Sequence, residues 1–291
     1  MKSFSLILVA GITIFSCQPS DSQTKSDKNV QSKSTMNMEV SNKDKAIAVL
    51  ESLETGAQEP IAYINPNKYI QHNLSVEDGL EGFGKIVANK PEGGFKAKVV
   101  RAFQDGDYVV AHTEYDFFGP LIGFDIFRFG NGLIVEHWDN LQPIAETTAS
   151  GRSQIDGPIE ITDLDKIASN KTLIKGFVDD VLMGNNPGKI TEYVSTEQYD
   201  QHNPAVCDGL AALGEAIKAM AEAGTPMIYS TNHFIIGEGN FVFTASEGEF
   251  LGKPSAFFDL FRIEDGKIVE HWDTVSETPP KEEWKNDNGK F

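Results

Sequence analysis

Asp125 sits inside the apolar run Gly123-Phe-Asp-Ile-Phe-Arg128; His137 and Asp139 follow, and the same three residue types return at the same spacing as Asp259, His271 and Asp273. Residues two apart on a strand share a face. His137 and Asp139 therefore stand side by side, as do His271 and Asp273, while Trp138 and Trp272 share the other face with Glu136 and Glu270. An imidazole that changes charge near neutral pH, placed beside a carboxylate, suits proton transfer. Burial raises the pKa of a carboxylate and makes it either a working base or a neutral donor near pH 7. Enolisation of a carbonyl compound needs both, a base beside the acidic C–H and a donor beside the oxygen, where water is scarce. The same residues also admit a plain structural reading, in which the histidines meet backbone carbonyls and Asp139 and Asp273 cap strand ends.

A second pair of matched segments lies upstream, Tyr69-Ile-Gln-His-Asn73 and Tyr199-Asp-Gln-His-Asn203. The offsets are 130 residues from Tyr69 to Tyr199 and 134 from Asp125 to Asp259, so the repeated unit is a whole domain and not a short solenoid repeat. His72, Asn73, His202 and Asn203 begin the loop before a helix, where loops feed pocket mouths. The asparagines can donate to a carbonyl oxygen and the histidines can move a proton, or both can tie the loop backbone. Tyr69 and Tyr199 are candidates for the pocket wall or for the core. Metal is not expected, because no His-x-His or His-Glu-x-x-His spacing occurs. After Cys17 the only cysteine is Cys207, which leaves no intramolecular disulfide and no cysteine-based zinc site.

These residues need a scaffold, and its outline is legible. In each half, helical periodicity precedes alternating strands: helices over 43–53, 60–69 and 78–88 lead into strands over 96–104, 108–118, 123–129 and 133–141. Helices over 164–183, 189–194 and 210–223 lead into strands over 228–236, 241–250, 255–263 and 268–275. The pattern predicts an α+β fold of two tandem domains, 41–148 and 163–291, each with three helices packed on a curved antiparallel sheet that closes around a pocket. With 291 residues, 40% of them hydrophobic, each half can bury its own core. The net charge of −18 repels nucleic acid and anionic lipid alike. Residues 1–17 read as an export signal: Lys2, a short apolar stretch from Phe4 to Phe15, then Ser16 and Cys17. Residues 18–40 are polar and read as a flexible tether.

The junction Ile14-Phe-Ser-Cys17 resembles a bacterial lipobox, which implies lipidation of Cys17, a lipid-anchored protein of the cell envelope, and membrane attachment only through that lipid. The Gln-His-Asn segments, the Asp-Gly before each third helix, the Asp105-Gly-Asp turn, the Asp-Ile-Phe-Arg strand and the Ile-Val-Glu-His-Trp-Asp strands resemble a SnoaL-like domain. That group of polyketide-cyclase relatives belongs to the nuclear transport factor 2-like superfamily. The resemblance spans roughly 43–147 and 163–278. It implies two cone-shaped pockets without metal or organic cofactor that take a small apolar or carbonyl-containing molecule, and acid/base chemistry of the aldol cyclase or isomerase kind. It further implies an intramolecular pseudo-dimer joined through the sheets. Asp125 and Asp259 match the position at which the related ketosteroid isomerases carry a protonated oxyanion-hole acid. The family also places histidines on either side of the central hairpin; His112 and His233 match these positions, one in each half, and Trp138 and Trp272 join them as pocket candidates. The alternative expectation is a ligand-binding or protein-interaction module without catalysis.

Overall fold

Ser41 starts the first helix by accepting a hydrogen bond from the Asp44 backbone N–H, and Gly56, at φ 72°, ends it in the left-handed region that glycine enters freely. The computed structural model describes residues 40–117 and 119–291; the signal and tether segments up to residue 39, with Cys17, lie outside the described residues, as does Phe118. Val40–Phe291 form one compact unit. The order in the first half is α1 (Asn42–Thr55), a 3-10 turn (Glu59–Tyr63), β1 (Ile70–Gln71), α2 (Gly79–Ala88), β2 (Lys96–Asp105), β3 (Tyr108–Asp116), β4 (Pro120–Gly130) and β5 (Leu133–Pro143). The second half repeats it with α3 (Ile167–Phe177), which runs on into a π turn (Val178–Leu182), then α4 (Ile190–Tyr193), β6 (Asp200–Gln201), α5 (Leu210–Glu222), β7 (Ile228–Glu238), β8 (Phe241–Phe250), β9 (Lys253–Glu264) and β10 (Lys267–Glu277).

The result is a mixed α+β architecture with two five-stranded sheets, ordered β1-β5-β4-β3-β2 and β6-β10-β9-β8-β7. The four long strands of each sheet form an antiparallel meander joined by short turns. The two-residue strands β1 and β6 pair in parallel with β5 and β10. Sequence periodicity does not foresee them, since two residues show no alternation. One face of the first sheet packs under α1 and α2 through Val49, Leu50, Phe83, Phe95, Tyr115 and Phe127. One face of the second packs under α3 and its π turn through Ile174, Phe177, Val178 and Phe261.

The opposite faces of the two sheets meet. Phe103, Val110, Phe124, Ile126 and Trp138 from the first pack with Ile236, Phe241, Phe243, Phe258, Leu260 and Trp272 from the second in one buried apolar cluster. Asn140 on β5 donates to the Thr274 carbonyl on β10 at 2.8 Å, and Gln142 accepts from the Val275 N–H at 2.9 Å. Reciprocal ion pairs close the rim: Lys43 of α1 meets Glu238 at the end of β7, and Lys171 of α3 meets Asp105 at the end of β2.

Two irregular segments brace the sheets. The connector at 153–157 lies on the second half, where the Ser153 carbonyl meets His202 and the Asp156 carbonyl accepts from Trp272. The tail beyond β10 crosses to the first half: the Lys285 N–H donates to Leu74, Asn286 to Asn73 and Val76, and Asn288 to Gln71 and Asp78.

Candidate functional site

Strand register builds the same constellation twice. Asp125 on β4 lies directly opposite Asp139 on β5, and Gln71 on β1 lies beside His137; in the second half Asp259 faces Asp273 and Gln201 lies beside His271. Two carboxylates directly across a strand pair repel one another. A local rule broken in the same way in both halves marks a site held for something other than stability.

The hydrogen bonds fix where the protons are. Gln71 Oε1 accepts from the Asn73 backbone N–H at 2.8 Å, so it is an acceptor and the nitrogen facing it at 3.1 Å, His137 Nδ1, carries hydrogen. The other ring nitrogen, Nε2, lies 3.0 Å from Asp125 Oδ1, and this contact needs one more proton, held on either atom. The second half repeats the arrangement: Gln201 Oε1 accepts from the Asn203 N–H at 2.9 Å and from His271 Nδ1 at 2.9 Å, and His271 Nε2 lies 3.1 Å from Asp259 Oδ1. The glutamine carbonyl thus sets the imidazole tautomer and aims a shared proton at the aspartate.

A tyrosine hydroxyl completes each aspartate, but from different strands. Tyr115 on β3 donates to Asp125 at 2.6 Å; Tyr229 on β7 donates to Asp259 at 3.1 Å. Register explains the exchange. Tyr115 is paired across the ladder with Ala97, and Tyr229 with Gly248, so large and small residues have traded strands. A Cβ on Gly248 would come within 1.8 Å of the Ile228 carbonyl, so only glycine admits this approach.

The neighbouring carboxylates, Asp139 and Asp273, each accept from an asparagine side chain, Asn73 at 2.6 Å and Asn203 at 2.7 Å. The second oxygen of Asp273, Oδ1, is buried without a partner among the described residues. Burial raises the pKa of Asp125 against the pull of His137, with the nearby Asp139 adding to the rise. Burial also raises Asp273. Burial works to lower the pKa of His271, but its hydrogen bond to Asp259 and the charges of Asp273 and Asp259 prevail and raise it.

Each constellation forms the floor of a cavity roofed by apolar helix residues. The first, of about 400 Å³, is lined by Tyr69, Gln71, Asn73, Tyr115, Asp125, His137 and Asp139 beneath Leu50, Leu53, Phe83 and Ile86. The second, of about 180 Å³, is lined by Tyr199, Gln201, Asn203, Tyr229, Asp259, His271 and Asp273 beneath Leu182, Leu213, Ile217 and Met220. Phe117 also borders the first cavity, whereas Phe258 lies in the cluster between the sheets and Phe257 stacks on Tyr229.

Several residues expected in the pockets lie elsewhere. Alternation along 69–73 turns Tyr69, Gln71 and Asn73 toward the cavity and His72 away from it. His72 stacks on Trp138 at 4.7 Å and contacts Glu136, and His202 stacks on Trp272 at 4.6 Å and contacts Glu270, all outside the cavity linings. Trp138 and Trp272 belong to the cluster between the sheets. His112 has the wrong strand parity: it pairs with Phe124, stacks on that ring, and accepts from Arg101 at 2.8 Å. Burial, with Arg101 beside it, holds its pKa well below the usual histidine range. His233 falls at an irregularity in the β7 register, stacks on Phe291 and lies 3.3 Å from Glu247.

Ligand-type side chains also gather in space without a local sequence motif. Donor atoms of Asp125, His137 and Asp139, and of Asp259, His271 and Asp273, lie within 4.8 Å of one another in each trio, close enough for three cation ligands. No local motif announces them because the ligands come from neighbouring strands. In the arrangement present, His Nε2 is engaged by aspartate, so the trio holds a proton where an ion would sit.

Sequence reasoning missed Gln71, Gln201, Tyr115 and Tyr229. The glutamines had a signal, since both stand in the repeated Tyr-x-Gln-His-Asn segment at the parity of Tyr69 and Asn73. The tyrosines had none, because they occupy non-equivalent positions of the repeat.

Residues 174–271 match the SnoaL-like domain family. No curated protein sequence matches the chain. Similar solved structures include a nuclear transport factor 2-like protein of unknown function from Cytophaga hutchinsonii, with 15% identity over 37% of this chain and 96% of that one and a TM-score of 0.32. A cystatin-like-fold protein of unknown function from Xanthomonas campestris has 24% identity over 40% of this chain and 97% of its own, also at a TM-score of 0.32. IdmH, a candidate polyketide cyclase from Streptomyces antibioticus, has 19% identity over 35% and 91% of the two chains and a TM-score of 0.30.

Proposed function

We propose that each half is a SnoaL-like unit whose cavity enolises a small neutral carbonyl compound by cofactor-independent acid/base chemistry of the cyclase or isomerase kind. The observation that carries this reading is the proton-sharing pair, His137 with Asp125 and His271 with Asp259, pinned by a glutamine on the floor of an apolar cavity beside a second carboxylate. Asp139 or Asp273 takes the proton from the carbon next to the carbonyl; in the second half the unpartnered Asp273 Oδ1 is the lone pair for this step. The electrons of the broken C–H bond move into the enolate, and its oxygen is met by the proton held between histidine and aspartate. Returning the proton to another carbon gives an isomer; alternatively the enolate carbon attacks a second carbonyl of the same molecule, the π bond of that carbonyl opens onto its oxygen, and this oxygen takes the proton that the aspartate removed, which closes a ring. Among the described residues neither cavity lining includes a lysine or arginine, so the buried part of the substrate carries no carboxylate or phosphate.

The test is exchange of carbon-bound hydrogen for deuterium in a panel of cyclic and aromatic ketones, followed by proton NMR. Exchange in the second half should fall as pH drops through the pKa of Asp273, which burial raises, and the Asp139→Asn, Asp273→Asn double variant should lose exchange in both halves. Exchange that is unaltered in the double variant rules the mechanism out. We further read the protein as an envelope lipoprotein, supported by Lys2, the apolar stretch 4–15 and Cys17, with the two halves acting as a built-in pair.

A further inference from the structure

The two cavities share a floor but not a roof. In the first half α1 ends at Thr55 and α2 has 10 residues. In the second, α3 continues into the π turn that carries Val181 and Leu182 over the cavity, and α5, with 13 residues, adds Ile217 and Met220 from above. Met220 and Met227 line the second cavity, whereas among the described residues no methionine lines the first. These additions accompany a drop from about 400 to about 180 Å³. An apolar cavity of about 150 Å³ accommodates one benzene molecule, so the second cavity has room for about seven non-hydrogen atoms and the first for about sixteen.

We propose that the cavities take neutral ligands of different size, a single ring in the second half and two fused rings in the first, with Leu182 and Met220 as the residues that impose the limit. This rests on the reading of the cavities as ligand sites. The conserved chemistry of the floor and the changed roof then amount to one reaction type applied to two substrates. Methionine is a gap filler that adapts its shape, so the limit is steric and can be removed by truncation.

The experiment is methyl NMR on the full-length protein, with Ile86 reporting the first cavity and Ile217 and Met220 the second. The probes are cyclohexanone and 2-acetylnaphthalene. Cyclohexanone should shift both sets of signals, and 2-acetylnaphthalene only Ile86. Met220→Ala or Leu182→Ala should then admit the two-ring ketone to the second cavity, with a gain in affinity of roughly tenfold or more read at Ile217. Equal binding of 2-acetylnaphthalene to both cavities of the unaltered protein overturns the size split and leaves the ligand-site reading intact. Failure of both probes at both cavities overturns the ligand-site reading, and the split with it. The unaltered protein decides between these outcomes even if a truncated variant does not fold.

Discussion

Replacing Gln71 by leucine keeps a side chain of similar volume in a position that is 2% exposed, but removes the oxygen that accepts from both the Asn73 N–H and His137 Nδ1. The buried His137 donor and the partly buried Asn73 N–H lose their partner at once. Each orphaned donor costs about 1–3 kcal/mol, so the variant should be destabilised by about 2–6 kcal/mol, a large part of the roughly 5–15 kcal/mol that holds a folded domain. Gln71→Glu keeps the accepting oxygen but loses the amide donor to Tyr69 and adds a buried carboxylate beside Asp125 and Asp139, so it should not restore stability at pH 7. The chemical effect is separate from the energetic one. Without the amide oxygen the imidazole is free to move its hydrogen to Nε2 and donate to the Asp125 carboxylate, which removes the need for the extra shared proton. Urea unfolding gives the stability change, and nitrogen-15 spectra of the histidine ring give the tautomer. A Gln71→Leu protein within about 0.5 kcal/mol of wild type, or one whose His137 keeps its hydrogen on Nδ1, would refute the account of the site; Gln201→Leu tests it independently in the second half.

Asp273→Asn should stabilise the protein at pH 7, because burial raises the folded-state pKa of Asp273 and the folded protein carries the cost of ionising it. That cost is complete above the folded pKa and vanishes below the unfolded one, so the gain measured by denaturant titration should shrink steadily as pH falls. Part of it is offset, since Asp273 also helps to raise His271, whose stabilising proton is lost as pH rises through the folded value. Deleting residues 285–291 should lower thermal stability and broaden NMR signals around the first cavity while leaving the second sharp, because the tail binds Leu74, Asn73, Gln71 and Asp78. Gly248→Ala should cost about 1–3 kcal/mol in chemical denaturation, the usual penalty of overpacking, because its Cβ would fall on the Ile228 carbonyl. Cys17→Ala should abolish incorporation of labelled fatty acid and shift the protein from the membrane to the soluble fraction in cell fractionation.

Much of the fold was open to reading because alternation and helical spacing are local signals. The strand over 133–141 and its partner over 123–129 were legible as observed in β5 and β4, and so was the side-by-side placement of His137 and Asp139. What stayed hidden depends on pairing. The stubs β1 and β6 are too short to carry a period, yet they bring Gln71 and Gln201 to the histidines. His72 looked like a pocket residue because it stood next to Asn73 in a repeated motif, but a strand turns neighbours to opposite faces and sends it to Trp138. His112 failed by the same parity. The tail was equally hidden, since nothing in residues 285–288 shows that they lie on the half from which they are most distant in sequence.

The trade between Tyr115–Ala97 and Gly248–Tyr229 carries the most weight for function. A tyrosine packed only to fill space could be replaced by any bulky apolar residue, and the hydroxyl would then be lost in one half without consequence. Here the strand that supplies the side chain changed, the opposite position became small to admit it, and the hydroxyl still reaches the aspartate at 2.6 Å in one half and 3.1 Å in the other. The roof of the cavity, by contrast, altered freely, to a helix with a π turn and two methionines. Divergence that spares the hydrogen bonds of a buried aspartate while remodelling everything above it is what separate substrates and one proton-transfer chemistry would produce, and packing alone gives no reason for it.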